Sequence, residues 1–175
     1  MALVLRVGTT ADVFTEPFAT TLATALEHHF GPGMHLQGQS EDEGWHSTEL
    51  GWSWWQMLQD RAAVLLGPEA TPHLSSMPAW RGVFLPKTVE IGELSGIPGD
   101  EAAICIASLT SLMRELGAVA TAIGVLFTVQ ACEALAAKYD NDDLCDDDPE
   151  LQTLAQLGIG AHVATERGQP LWVIK

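Results

Sequence analysis

The longest apolar stretch of the chain runs from Glu101 to Lys138, and it carries no charge between Glu115 and Glu133. Apolar side chains recur there at spacings of three and four residues, which places them on one face of a helix. The members of this face are Cys105, Leu109, Leu112, Leu116, Val119, Ile123 and Leu126. We therefore predict a buried central helix with Asp100 as its N-cap, a break near Gly124, and a second helix to about Lys138.

The beginning of this stretch has a second interpretation. Ala103 to Ile106 is a short, continuous apolar run, which also suits a buried strand. The central helix would then begin near Ser108. The pattern alone leaves both alternatives open.

The rest of the chain alternates between strand and helix patterns. Strands are predicted at 2–7, 34–39, 80–85, 88–91 and 171–174, and helices at 15–30, 51–66 and from Pro149 to about Glu166, before Gly168. A hairpin after Leu157 is the alternative for the last helix, because Gly158 and Gly160 interrupt it. The pattern predicts an α+β (or α/β) fold: one compact domain over residues 1–175, with helices packed around a buried apolar helix and a small mixed sheet.

Tryptophans are concentrated around the start of the predicted helix 51–66. Four of the six occur between Trp45 and Trp55. On a helix, Trp55 shares the apolar face with Leu58, and Trp52 and Trp54 cannot both join it. Because exposed tryptophans are enriched at binding hot spots, we predict Trp52 and Trp54 as candidate partner contacts, with core packing as the alternative.

Charge is more informative about function than any motif in this sequence. The chain has eight Lys and Arg against 23 Asp and Glu, a net charge of −15. Such a chain lacks the cations that neutralise nucleic-acid phosphates or dock on anionic membranes. It attracts a basic protein partner at long range instead.

The acidic side chains are concentrated in residues 140–150, called here the acidic segment. Seven of its eleven residues are acidic, and all seven are predicted to contact a partner: Asp140, Asp142, Asp143, Asp146, Asp147, Asp148 and Glu150. The segment fails the EF-hand pattern, because Leu144 occupies a ligand position and no central Gly follows. We predict no metal site, although a looser divalent site stays open.

Catalytic signatures are missing from the sequence. It contains no phosphate-binding Gly-rich loop, no G-x-S-x-G and no H-E-x-x-H, and we predict no cofactor. Cys105, Cys132 and Cys145 form no C-x-x-C pair, which indicates a reducing compartment. We see no signal peptide, and we interpret the uncharged run 116–132 as a core helix rather than a membrane span. A cytoplasmic location follows.

These observations favour a binding protein over an enzyme. The leading hypothesis is an inhibitor, such as a bacterial immunity protein, which neutralises a basic toxin or a protein that acts on nucleic acid. The alternatives are a small enzyme or metal-dependent hydrolase with a site assembled from distant His, Asp and Glu, and a structural module that self-associates. The sequence leaves open whether the chain forms homo-oligomers.

Overall fold

The structure is a computed structural model that describes residues 2–40, 44–100, 102–139 and 148–175. Its strands form one mixed sheet. In chain order they are β1 (Ala2–Val7), β2 (Trp45–His46), β3 (Leu50–Gly51), β4 (Arg81–Leu85), β5 (Gly92–Leu94), β6 (Ile104–Ser108) and β7 (Leu171–Ile174).

The strand order is β2-β1-β7-β4-β6-β5, with β3 also paired to β1. Only β4 and β6, among the described pairs, run parallel; their register sets Gly82 opposite Cys105 and Leu85 opposite Ser108. β7 lies antiparallel between β1 and β4. The predicted α+β class is therefore confirmed.

The helices cover both faces of this sheet. In chain order they are α1 (Thr10–Val13), α2 (Phe18–Phe30), α3 (Trp52–Leu66), α4 (Pro72–Ser76), α5 (Leu109–Ile123), α6 (Val129–Tyr139) and α7 (Pro149–Arg167).

Side-chain alternation along the strands builds two hydrophobic cores. Ile104 and Ile106 of β6 face a core with α2, whereas Cys105 and Ala107 face the larger core with α3, α5 and α7. Trp172 of β7 points toward α2 between neighbours that point the other way. This is the two-residue period expected of a strand that is buried on both faces.

The central apolar stretch divides into a strand and two helices. The second interpretation of its beginning is correct: Ile104–Ser108 is a strand, and α5 begins after Ser108, whose hydroxyl accepts a hydrogen bond from the backbone N–H of Ser111. The helix ends at Gly124, which adopts a left-handed conformation (φ 84°), as the predicted break requires. Leu126 was expected on the buried face but is 75% exposed, because it lies beyond that end.

Two predicted strands are wrong. Residues 34–39 contain no strand, and instead Met34 and Leu36 are buried in the core beneath α2. The carbonyl of Leu36 accepts hydrogen bonds from the backbone and hydroxyl of Thr10, so its polar backbone is satisfied without a ladder. The strand expected at 88–91 lies later, at Gly92–Leu94.

The C-terminal prediction is confirmed. α7 continues through Gly158 and Gly160 to Arg167, and Gly168 ends it in a left-handed conformation (φ 62°). Both interior glycines are explained by packing. A Cβ at Gly158 would lie 2.7 Å from the Cys132 sulfur of α6, and one at Gly160 would lie 2.6 Å from the Trp45 ring.

Candidate functional site

The structure describes only the C-terminal end of the acidic segment. Residues 140–147 lie outside the described residues, and they include Asp140, Asp142, Asp143, Asp146 and Asp147. The described end of the segment is on the surface: Asp148 is exposed, and Glu150 is half-buried in the first turn of α7. Carboxylates there complement the positive end of the helix dipole.

The three tryptophans of α3 have different environments. Trp55 is fully buried, and its indole N–H donates to the Met77 carbonyl at 3.0 Å. Trp54 is half-buried and packs against the larger core. Trp52 is 52% exposed. As the helical projection predicted, Trp52 and Trp54 do not both share the buried face with Trp55, and only Trp52 offers a large free ring surface.

Trp52 lines a shallow groove together with a residue that sequence reasoning missed as a site candidate. This tryptophan groove has a volume of about 330 Å³ and is lined by Ala2, Trp52, Ala79, Trp80 and Lys175. Trp80 is 61% exposed and immediately precedes β4. The sequence pattern placed Trp80 at the start of the predicted strand 80–85, whereas the observed strand begins one residue later. The charged side chain of this groove is the Lys175 cation.

A second groove connects α3 to the end of the acidic segment. This α3–α7 groove is lined by Met57, Asp60, Arg61, Val64 and Glu150 and has a volume of about 250 Å³. The apolar side chains are largely free, with Met57 44% and Val64 80% exposed. The groove therefore brings part of the predicted acidic site, Glu150, next to exposed apolar side chains of α3.

A buried polar cluster joins α4 to α5. Glu115 of α5 is 4% exposed, and its carboxylate accepts hydrogen bonds from the backbone N–H groups of His73 (3.2 Å) and Leu74 (2.9 Å). The His73 Nδ1 atom accepts the backbone N–H of Ser108 at 3.1 Å. The carboxylate thus caps the first turn of α4, and the imidazole ties α4 to the start of α5.

The cluster resembles a catalytic arrangement in residue types only. Burial lowers the pKa of His73 below its ordinary value, Glu115 opposes this shift, and Arg114 adds to it. Ser108, however, is fully buried, and its hydroxyl accepts from a backbone N–H as a helix cap. A hydroxyl that substrate cannot reach is no nucleophile, so the cluster is a structural junction between α4 and α5.

The two described thiols are also poor nucleophiles. Burial raises the pKa of both Cys105 and Cys132 above its ordinary value, and nearby Glu93 and Glu133 respectively raise it further. The Cys105 thiol donates to the Ser76 carbonyl at 3.4 Å. Both groups are therefore protonated at neutral pH, and the thiolate is the reactive form.

One carboxylate serves as a clamp near the end of β1. The Asp12 side chain accepts hydrogen bonds from the backbone and hydroxyl of Thr9 and from the backbone and hydroxyl of Ser40. Burial opposes its ionisation, but these four hydrogen bonds together lower the pKa of Asp12. The Gln169 amide donates to the Ser40 hydroxyl at 2.6 Å, so this network joins three distant chain segments.

Within the described ranges, no three His, Cys, Asp or Glu side chains converge as metal ligands would. The predicted absence of a metal therefore stays a prediction for the acidic segment, most of which lies outside those ranges. None of the helices in the described part of the chain combines the length and apolar character needed to cross a bilayer.

Comparison with protein-family models, curated proteins and solved structures gave no significant match to this chain. Two of the exposed grooves contain exposed apolar side chains beside charged ones: the tryptophan groove with Lys175, and the α3–α7 groove with Asp60, Glu150 and Arg61.

Proposed function

We propose that this chain binds and blocks a basic protein, in the manner of an inhibitor or a bacterial immunity protein. The observation that carries the proposal is its charge balance. If every one of the eight Lys and Arg neutralised one acid, 15 of the 23 carboxylates would still lack a cation from this chain (23 − 8 = 15). An excess of this size is available to an external basic surface.

The acidic segment is the proposed capture surface. Its described end is exposed at Asp148, and Glu150 opens onto the α3–α7 groove. Carboxylates at such a surface accelerate the encounter with a basic partner and then pair with the cations that would otherwise hold its substrate. Trp52 is the proposed aromatic contact of the interface, because this residue is 52% exposed. Trp54, which packs on the core, is the less accessible of the two predicted contacts.

The described side chains give less support to the enzyme alternative. Ser108 and the two described thiols are unsuited to nucleophilic attack, and the most buried described carboxylate, Glu115, is occupied by two backbone donors. These observations support binding over turnover as the proposed function.

Affinity capture from the native host tests the proposal. The tagged wild-type chain is compared with a variant in which Asp142, Asp146 and Asp147 are replaced by Asn. We expect one basic protein to be enriched at low salt by the wild type and depleted in the variant, and its activity to fall in proportion to added wild-type chain up to a 1:1 ratio. Enrichment that is equal in both samples, or a captured protein whose activity is unaffected, would contradict the proposal.

A further inference from the structure

The outer face of α3 carries apolar side chains that the fold does not use. Met57 and Val64 are seven residues apart, so they lie on the same face, two helical turns from one another. They are 44% and 80% exposed, whereas Trp55, Leu58 and Ala62 on the opposite face are buried. The folding of α3 thus requires only its inner face.

Acidic groups flank this apolar pair. Asp60 lies between Met57 and Val64 in sequence and accepts a hydrogen bond from the Gln56 amide at 3.0 Å, which orients its carboxylate. Glu150 lines the other side of the α3–α7 groove, and Arg61 supplies the cation of the lining. The lining of the groove therefore combines exposed apolar side chains with a net negative charge.

We infer that the α3–α7 groove binds a basic amphipathic helix of the partner. Its apolar stripe would lie along Met57 and Val64, and Lys or Arg side chains beside that stripe would meet Asp60 and Glu150. This inference rests on the proposed function, because it identifies where the basic partner docks. The groove's 250 Å³ suits one or two anchoring side chains rather than an enclosed small molecule.

A helix fits this surface better than an extended strand does. The groove follows the exposed ridges of α3 at the start of α7, and helices pack there by inserting side chains between such ridges. An added strand would instead need the free backbone groups of a sheet edge, which the outer face of a helix does not offer.

Charge also distinguishes this groove from the tryptophan groove. The charged side chain of the tryptophan groove is Lys175, which repels a basic helix, whereas in the α3–α7 groove Asp60 and Glu150 outnumber Arg61 and the net charge attracts one. Electrostatic complementarity selects between two surfaces that are otherwise both apolar and exposed.

A synthetic peptide tests the inference without knowledge of the native partner. The probe is a 14-residue helical peptide of Lys and Leu with all leucines on one face, and its control has the same composition with the leucines distributed around the helix. Binding is followed by amide chemical shifts in NMR. We expect the amphipathic peptide to perturb residues 57–64 and the first turn of α7, and to bind at least about tenfold more tightly than the control peptide, since one tenfold step corresponds to the burial of about two methylene groups.

Two matched variants separate apolar docking from charge. Val64→Asn removes an apolar contact from the groove, and Leu126→Asn makes the same neutral polar change at a 75% exposed leucine outside it. Both positions are too exposed for either change to unfold the chain. We expect Val64→Asn to weaken peptide binding about tenfold relative to Leu126→Asn, because neither variant changes the net charge and only Val64→Asn removes apolar contact with the peptide.

Equal affinity of the two variants, equal affinity of the two peptides, or shifts centred on Trp52 and Trp80 would overturn the inference. Failure of the groove is distinguishable from failure of the proposed function. If Val64→Asn still binds and inhibits the captured native partner as the wild type does, the partner docks elsewhere on the chain and the proposed function stands. If the peptide docks as expected but no basic partner is captured, the function is wrong.

Discussion

Glu115 provides the sharpest test of how the buried polar groups hold α4. Its carboxylate is nearly inaccessible to solvent and accepts two backbone N–H groups from the first turn of that helix. Hydrogen bonds to a charged group contribute about 1.5–3 kcal/mol each, and burial of the charge offsets part of this sum. We expect Glu115→Ala to lower the free energy of unfolding by about 2–4 kcal/mol.

The conservative change should have an intermediate effect. Glu115→Gln keeps one carbonyl oxygen, so one of the two N–H groups retains an acceptor, and we expect a loss of about 1–2 kcal/mol. The matched control is Glu133→Ala, an exposed glutamate on α6, whose loss should remain within about 0.5 kcal/mol.

Urea denaturation followed by tryptophan fluorescence measures these differences. The signal is suitable because the Trp55 indole donates to Met77 at the end of α4 and so reports on this junction. A loss below ~1 kcal/mol for Glu115→Ala would contradict the capping role of this carboxylate, since it would mean that water replaces the carboxylate at the start of α4 without cost.

Three further expectations concern the core and its titration. Leu116→Ala should lower the free energy of unfolding, measured in a denaturant melt, by about 2–5 kcal/mol, whereas the exposed control Leu126→Ala should lower it by less than ~0.5 kcal/mol. A loss below ~1 kcal/mol for Leu116→Ala would place this face of α5 outside the core. Burial lowers the pKa of His73 in the folded chain, so the folded state favours the neutral ring. As the pH falls below the unfolded pKa of about 6.5, the free energy of unfolding should therefore decrease more steeply for the wild type than for His73→Gln. Parallel pH curves of the two proteins would exclude this role. Gly117→Ala should raise stability by about 0.5–1 kcal/mol in thermal melts, whereas Gly158→Ala should lower it, because the new methyl group would overlap a cysteine sulfur; equal shifts would contradict the packing of α6 on α7.

Local chemistry allowed much of the fold to be predicted. The caps at Gly124 and Gly168 were predictable because a helix that ends there requires a left-handed residue. α3 and the final strand followed from their side-chain periods. The assignment of β6 did not follow, because five apolar residues fit either a strand or a helix. What decides it is parallel pairing with β4, a partner that lies about twenty residues earlier in the chain.

The candidate site was less predictable, because it too depends on contacts between residues that are distant in sequence. The exposure of Trp52 follows from helical projection, but the exposure of Trp80 depends on where β4 begins within the sheet. The α3–α7 groove joins residues about ninety positions apart, Met57 and Glu150, and only tertiary packing brings them together. Composition indicated that the surface is acidic, and packing determined which apolar side chains lie beside the acids.

Capture of a basic partner by the acidic segment is tested most directly by the association rate of the captured partner. This rate is measured by surface plasmon resonance from low to physiological salt. Two variants that each lose three negative charges are compared. One replaces Asp142, Asp146 and Asp147 by Asn, and the other replaces Glu69, Glu90 and Glu93, which are exposed elsewhere, by Gln. Because net charge is the same in both, only the position of the removed charges differs. We predict a steep fall of the wild-type rate with salt and slower association only for the acidic-segment variant. A salt-independent rate, or equal rates for the two variants, would contradict the account.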